Sequence, residues 1–524
     1  MVAFDLLLRG GRVLDGSGGP ARAADVGVTD GRIAAIGDLS DATAGQDLDV
    51  TGRYVCPGFI DVHAHTDLAA LLGDAHLDVK TAGIRQGVTT EVCGNCGASP
   101  FPTRDDVGRD PYFGLYPEDV QTQFVTTAQY RATMDQVPLV ANLAPLIGHG
   151  ALRAAVVGYD NRPATNDELR EMRRIVAQSM EEGAFGLSSG LIYAPGVYAP
   201  TEELVALATE AGRYGRPYTT HMRDEADHVL EAIDEALLIA REAGTSVQIS
   251  HHKVAGARNW GRSQDTLRAI VDARAAGTDA TIDVYPYTAG STILRMLLPP
   301  WALEGGHDRT AELLRDSEAR RRIARDYERG IEGWQNLVGM SGWDGVVLCG
   351  DDDMAGQSAA DIARATGREP VDVALDVVLD DPGRMIVIHM MDEDEVAAIG
   401  SVEFALVGSD GIPAPGRQHP RLAGTFARVL ARAEGDEAAL ADVVHRATLL
   451  PAQRFHLADR GQVAQGCVAD LVVFDGASVE DRATYEEPLL PPTGVDHVVV
   501  SGRLVVHHGK VTAVRAGEVL EPTT

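Results

Sequence analysis

At 524 residues the chain is too long for one ordinary core, although a barrel of about 250 residues with insertions still counts as one domain, so one large and one small domain are expected. Apolar residues make up 45% and charged residues 23%, and no apolar run approaches the ~20 residues of a membrane span. With 46 Lys plus Arg against 77 Asp plus Glu the formal charge is −31, which repels phosphate backbones and anionic lipid and excludes nucleic acid and membrane as expected partners. Five scattered cysteines, 56, 93, 96, 349 and 467, make no disulfide framework. The first residues lack a secretion signal, so a cytoplasmic protein is expected.

Residues 4–14 and 25–37 are short β-type runs broken by Gly and Asp-Gly turns, and 469–475 and 494–510 repeat that texture. Both ends are therefore expected to join in one small composite β-domain, 1–57 with 456–524, of β-sandwich type. From 58 to 455 short apolar runs alternate with helical stretches, the pattern of parallel βα units. Eight strands are predicted, ending at His63/His65, Cys96, His149, Ser189, His221, His251, Tyr285 and Asp410. The helix from Asn166 reads as capped by Asn166, and the next begins at Thr201. Eight such units predict a (β/α)8 barrel, whose chemistry lies at the C-terminal ends of its strands. About 120 residues separate the last two strands, too many for a loop, so a helical insertion over 296–395 is expected, with 301–335 as a candidate lid across the barrel mouth.

The stretch Gly58 to His65 leaves a Pro-Gly turn and runs into His63 and His65, whose spacing places both imidazoles on one side of an extended strand. With Cys96, His221, His251 and Asp410, six metal-ligating side chains end predicted barrel strands. Imidazole, thiolate and carboxylate together suit Zn2+ at about 2.0–2.3 Å. Such a metal activates water, and Asp410 is the candidate base that takes the proton and passes it to a leaving amine.

The order HAH, GVTTEVCGNCG, HGALR, GLSSGLIYAPG, THMRDE, ISHHK, DVYPYTAGST, GSDG and HPRLAGTF resembles the amidohydrolase superfamily, and within it the D-aminoacylase branch, the N-acyl-D-amino-acid deacylases. The resemblance runs nearly end to end. It implies zinc held tightly by Cys96, His221 and His251, with His63, His65 and Asp410 forming a second, weaker position. It also implies an N-acyl-D-amino acid substrate, split into a carboxylic acid and a free D-amino acid. A cyclic-amide hydrolase of dihydroorotase or hydantoinase type is the alternative. His252 competes with His251 as ligand, and strand periodicity favours His251. The α-carboxylate of such a substrate needs cations, for which Lys253 and Arg421 are placed. The resemblance adds Tyr193 and Tyr285 to that pocket; Ser291 and His149 are candidate substrate or supporting contacts. Arg223 and Glu225 read as a pair with each other, and Cys93 as a buried strand residue.

Overall fold

The computed structural model describes residues 3–104, 124–414 and 416–523. Strands Ala3–Val13, Arg22–Thr29, Arg32–Gly37, Thr43–Asp49 and Tyr54–Pro57 from one end of the chain, and Leu471–Phe474, Val495–Val500, Arg503–His507 and Lys510–Val511 from the other, hydrogen-bond into one nine-stranded sheet. The two ends meet where Tyr54–Pro57 pairs antiparallel with Leu471–Phe474. The Asp-Gly turn read from the sequence is there: Asp30 and Gly31 take φ of 50° and 74°, the left-handed pair that a two-residue hairpin turn needs. Alternation then sorts the side chains. Leu471 and Val473 join Leu6, Val28 and Ile33 in one cluster, so the sheet encloses a core of its own between its distant strands. Val472 and Phe474 face Phe59, Val88 and Phe426 and seal the sheet against the rest of the chain.

Eight parallel strand segments follow: β1 Phe59–Asp61, β2 Val88–Cys93, β3 Asn142–Pro145 continued by Ile147–Gly148, β4 Leu187–Gly190, β5 Tyr218–His221, β6 Val247–Ile249, β7 Ala280–Val284 and β8 Ala405–Val407. Each pairs with the next in chain order. At Leu146 strand β3 changes neighbours, Leu146 donating to the Cys93 carbonyl and Ile147 to that of Gly186. The circuit returns to its start just beyond β8, where Ala64 and Gly411 bridge in parallel and the Asp410 N–H donates to the His63 carbonyl at 2.7 Å. This is the expected (β/α)8 arrangement, with every strand pointing its C-terminal end at the same rim. At the opposite end, Leu520 packs with Ile60, Val92, Leu146, Phe185 and Leu406, and its N–H donates to the Leu143 carbonyl. Residues 517–520 therefore leave the terminal sheet and close the barrel where its strands begin.

One helix cap differs by one residue from the sequence reading, and the other helix starts where expected, at Thr201. Thr165, not Asn166, caps the helix Asn166–Glu181, in a reciprocal capping box with Glu168. Helix Thr201–Gly212 starts after Pro200, and the Thr201 hydroxyl donates to Glu235 instead of capping. The excursion between β7 and β8 is more than helical. It contains an antiparallel sheet of Ala289–Ile293, Met385–His389 and Val346–Leu348, the β-branched runs having found one another across about a hundred residues. Leu297, Leu314, Ile323, Val346 and Ile388 of this layer share one apolar cluster with Cys96, Tyr193 and Tyr285, so the excursion and the barrel mouth are packed as one body.

Candidate active site

The turn after β2 delivers Cys96. Gly94 and Gly97 flank it at φ of 80° and 73°, and Cys96 itself sits at 54°. A Cβ on Gly94 would lie 2.4 Å from the Leu146 carbonyl oxygen, and one on Gly190 would lie 2.1 Å from the Cys96 carbonyl oxygen. Those two contacts explain why GNCG and SSG carry glycine there: the loop lies flat on β3 and β4, which pushes the thiol toward the axis. His251 and Asp410 also have positive φ, 35° and 51°. A non-glycine residue in that region costs about 1–3 kcal/mol, and three of the six candidate ligands bear it.

The six residues that the sequence picked out meet in one buried volume. His63, His65, Cys96 and Asp410 bring ligand atoms within 4.8 Å of one another, and Cys96, His221 and His251 do the same, so Cys96 belongs to both groups. Cys96 Sγ lies 3.3 Å from His63 Nε2 and 3.4 Å from His251 Nε2. Asp410 Oδ1 lies 3.1 Å from His65 Nε2 and 3.5 Å from His63 Nε2. Neither ring nitrogen of His221, both buried, makes a well-formed hydrogen bond, Nε2 lying 3.5 Å from Glu225 Oε2. A buried polar atom left so is costly unless something else satisfies it, and a shared cation would do so. Burial opposes charge on Cys96, yet His63 and His251 outweigh it and hold the thiol well below its ordinary range. Sulfur, imidazole and carboxylate donors, one of them poised as thiolate, fit one or two divalent transition-metal ions.

His252 turns away, its Nε2 lying 2.9 Å from Thr266 Oγ1, so His251 is the residue that faces the centre. The orientation of the His251 ring comes from a residue the sequence reading set aside. Glu225 does not pair with Arg223, which goes to Glu235 at 2.9 Å. Glu225 Oε1 instead lies 3.0 Å from His251 Nδ1 and 2.6 Å from Lys253 Nζ, and its other oxygen is 3.5 Å from His221 Nε2. Burial works against the Glu225 carboxylate, but Lys253, His221 and His251 pull it far below its usual range. Nδ1 of His251 thus lies against the joined Glu225 carboxylate and Lys253 ammonium, at 3.0 and 2.8 Å, and Nε2 points toward Cys96.

Asp283 and Asp61 were also missed. Asp283 Oδ1 accepts from the His251 N–H at 2.7 Å and lies 3.2 Å from His63 Nδ1, which ties β7 to two ligands at once. Asp61 accepts from the backbone N–H of both His63 and Ser409, locking the end of β1 to the end of β8. Its burial raises its pKa to about 6, against the pull of Ser409. The signal for both was present: an acid in the middle of an apolar strand has to have a partner.

The remaining expected residues line the cavity beside this group, which is walled by His65, Cys96, Tyr193, His221, Lys253, Tyr285, Ser291, Asp410 and Arg421. Arg421 is 1% exposed, stacks 4.8 Å from the Tyr285 ring centre and approaches Asp410 Oδ2 to 2.7 Å. Its Nη2 donates to the Ser291 carbonyl, so Ser291 holds it through backbone; Nη1 is the atom that meets Asp410, and Nε has no hydrogen-bond partner. Burial opposes charge on Asp410, and Arg421 and His63 more than offset it, keeping that carboxyl well below its ordinary value. Tyr193 packs 4.9 Å from the His221 ring and meets Thr292. His149 is elsewhere: it joins Glu203 and Arg153 in a buried network, at 2.9 Å from Glu203 Oε1.

Comparison with known proteins agrees with this geometry. The model of the Amidohydrolase family matches residues 46–506. The D-aminoacylase of Alcaligenes xylosoxydans xylosoxydans is 39% identical over 99% of this chain and 98% of its own length. The N-acyl-D-glutamate deacylase of the same organism is also 39% identical, over 95% of this chain and 93% of its own. A solved structure of the N-acyl-D-glutamate deacylase of Bordetella bronchiseptica, complexed with zinc and a phosphonate mimic of the tetrahedral intermediate, superposes with a TM-score of 0.85 at 35% identity, covering 99% of this chain and 100% of that one. The chain belongs to the amidohydrolase family, in the branch of the D-aminoacylases and N-acyl-D-amino-acid deacylases.

Proposed function

We propose that this amidohydrolase cleaves the amide bond of N-acyl-D-amino acids and prefers those with uncharged, aliphatic side chains. The single observation that carries the reading is one cavity bounded by the Cys96/His221/His251 group on one side and by buried Arg421, paired with Asp410 through Nη1 and with an unpartnered donor at Nε, on the other. That spacing suits an acyl amide at the metal-competent end and a free α-carboxylate at the arginine.

Cys96, His221 and His251 would hold the principal zinc, and His63, His65 and Asp410 a second, weaker ion beside it. The metal's contribution when bound is Lewis acidity, which polarises a carbonyl and makes water a nucleophile near neutral pH. The protein does the rest. Asp410, ionised through its contacts with Arg421 and the two histidines, takes the proton of the attacking water on Oδ1 and delivers it to the departing amine. Arg421, Lys253 and the hydroxyls of Tyr193 and Tyr285 fix the substrate carboxylate, so that the scissile carbonyl is presented in one orientation. Glu225 keeps His251 in the tautomer that leaves Nε2 free.

Substrate class follows from the rest of the wall. Ile192, Ile293, Leu337, Ile388, Met390 and Ile412 surround the cavity, and Lys253 and Arg421 are the only cations among the described lining residues. A second carboxylate on the substrate would meet apolar surface and lose its hydration without return. About 50 Å3 of space lies between the walls, so the layer carrying Ile293, Leu337 and Met390 has to yield on entry. Cleavage by protease near 305–335 should therefore slow when substrate is bound.

The test is a panel of N-acetyl-D- and L-amino acids, with a hydantoin as cyclic control, assayed for amine release with and without a chelator. Chelator-sensitive turnover of D-leucine and D-methionine derivatives is expected, at least ~10-fold above D-glutamate and D-aspartate. Faster turnover of the acidic substrates would overturn the side-chain assignment, and turnover of the hydantoin alone would overturn the reaction.

A further inference from the structure

We infer that the terminal sheet carries a metal site of its own, built from His497, His507 and His508, which takes a divalent transition-metal ion of the zinc or nickel class. His497 and His507 face each other across neighbouring antiparallel strands, Val495–Val500 and Arg503–His507, and the register pairs them directly. Their Nδ1 atoms are 3.2 Å apart. Two imidazole nitrogens each about 2.0–2.1 Å from one tetrahedral ion are separated by about 3.3 Å, so the pair already has the spacing of two ligands on one metal. His508 supplies the third ring, 4.8 Å from His497 and 4.2 Å from His507 between ring centres, and ligand nitrogens of all three lie within 4.8 Å of one another.

The turn sharpens the inference. His508 and Gly509 form the two-residue loop before Lys510, with φ of 49° and 70°. Both positions want left-handed backbone, for which Asn-Gly is the favoured pair; histidine also tolerates the first, and here that places its ring beside the other two. There it folds back over its two partners. His497 is buried while His507 is partly exposed and His508 exposed, so the site has a fixed base and an open side for water or a further ligand. All-nitrogen donors select zinc, nickel, cobalt or copper over calcium and magnesium. The ligands come from the last strands of the chain and share none with the barrel centre.

Untagged full-length protein is equilibrated with excess Zn2+, desalted, and assayed for zinc by elemental analysis and for retention on Ni2+-charged resin. The comparison variants are H507A/H508A and H508N, the latter keeping a residue that suits the turn. The wild type is expected to hold one more zinc equivalent than H507A/H508A and to be retained on the resin, with calorimetric zinc affinity at this site at least ~10-fold weaker in H508N. Deacylation by both variants should match the wild type. Equal zinc content and equal retention in wild type and H507A/H508A would overturn the site and leave a hydrogen-bonded histidine pair; the barrel centre's own zinc would remain in all three proteins either way.

Discussion

Two groups of imidazoles in this molecule make an instructive contrast. The barrel centre draws its six ligand candidates from residue 63 to residue 410, one strand end at a time, and surrounds them with Asp61, Glu225 and Asp283. The hairpin group draws three histidines from residues 497 to 508, and among the described residues no carboxylate orients its rings. Proximity is enough to bind a metal; catalysis also needs ring tautomers fixed, a base beside the metal position and water kept out. On the reading proposed above the barrel has all of these, and the hairpin only the first.

The contrast breaks most sharply at Cys96, the one donor common to both halves of the centre. Cys96→Ala should remove the metal from the barrel and lower kcat/KM by at least ~10^3-fold, several kcal/mol of lost carbonyl polarisation. Zinc content measured beside the rate checks the cause, and a variant that retained stoichiometric barrel zinc with near-normal turnover would show that the thiolate is a bystander. Asp410→Asn separates binding from chemistry. It leaves Cys96, His221 and His251 in place, so metal should stay largely bound while kcat falls by about 10^2–10^4-fold. Near-normal kcat in that variant would remove the base assignment. Arg421→Met should next raise KM for carboxylate-bearing substrates far more than for an uncharged amide, and an equal effect on both would refute its grip on the carboxylate.

The supporting carboxylates come next. Glu225→Gln and Asp283→Asn each leave every ligand present, and each should cost about 10- to 100-fold in metal affinity or turnover, because the ring they aim loses its fixed tautomer or position. A calorimetric zinc titration of these variants measures the difference between a centre that is assembled and one that is merely near.

How much of this could be read from the chain itself follows the same division. The candidate ligands were legible because four histidines, a cysteine and an aspartate that close apolar runs have few explanations, and the βα alternation placed those runs on a common rim. Glu225 was misread because its nearest cation in sequence, Arg223, is two residues away and looks like a partner. The chain bends at Arg223, just past the end of β5, and Arg223 reaches Glu235 on the following helix. Asp283 was passed over inside a run scored only for its apolar residues. The small sheet of the excursion was hidden for another reason: its strands Ala289–Ile293 and Met385–His389 are separated by helices, and no local periodicity announces which distant run will pair with which. Thr165 as helix cap was a one-residue question that the Glu168 side chain decides by reaching back to the Thr165 N–H.

The smallest expected effect is on stability and tests whether the rim has a buried charge network that is structural alone. Glu203 lies between Arg153, at 2.7 Å from its Oε1, and His149, and is almost wholly buried. Burial would raise its pKa, yet His149 and Arg153 override this and lower it from 4.5 to about 2. A carboxyl that is a stronger acid folded than unfolded stabilises the fold fully above about pH 4.5, and that contribution drains away as pH falls toward 2. Glu203→Gln should therefore lower Tm most at neutral pH, by the equivalent of about 3–5 kcal/mol for breaking one side of a buried pair, with the gap to the wild type closing progressively between pH 5 and pH 3. A gap that stayed constant through that range would mean that packing, not charge, is what Glu203 contributes. Because His149 and Arg153 stand outside the cavity wall, turnover per folded molecule should barely change, which sets this network apart from Glu225, where a carboxylate of similar burial reaches the ligands themselves.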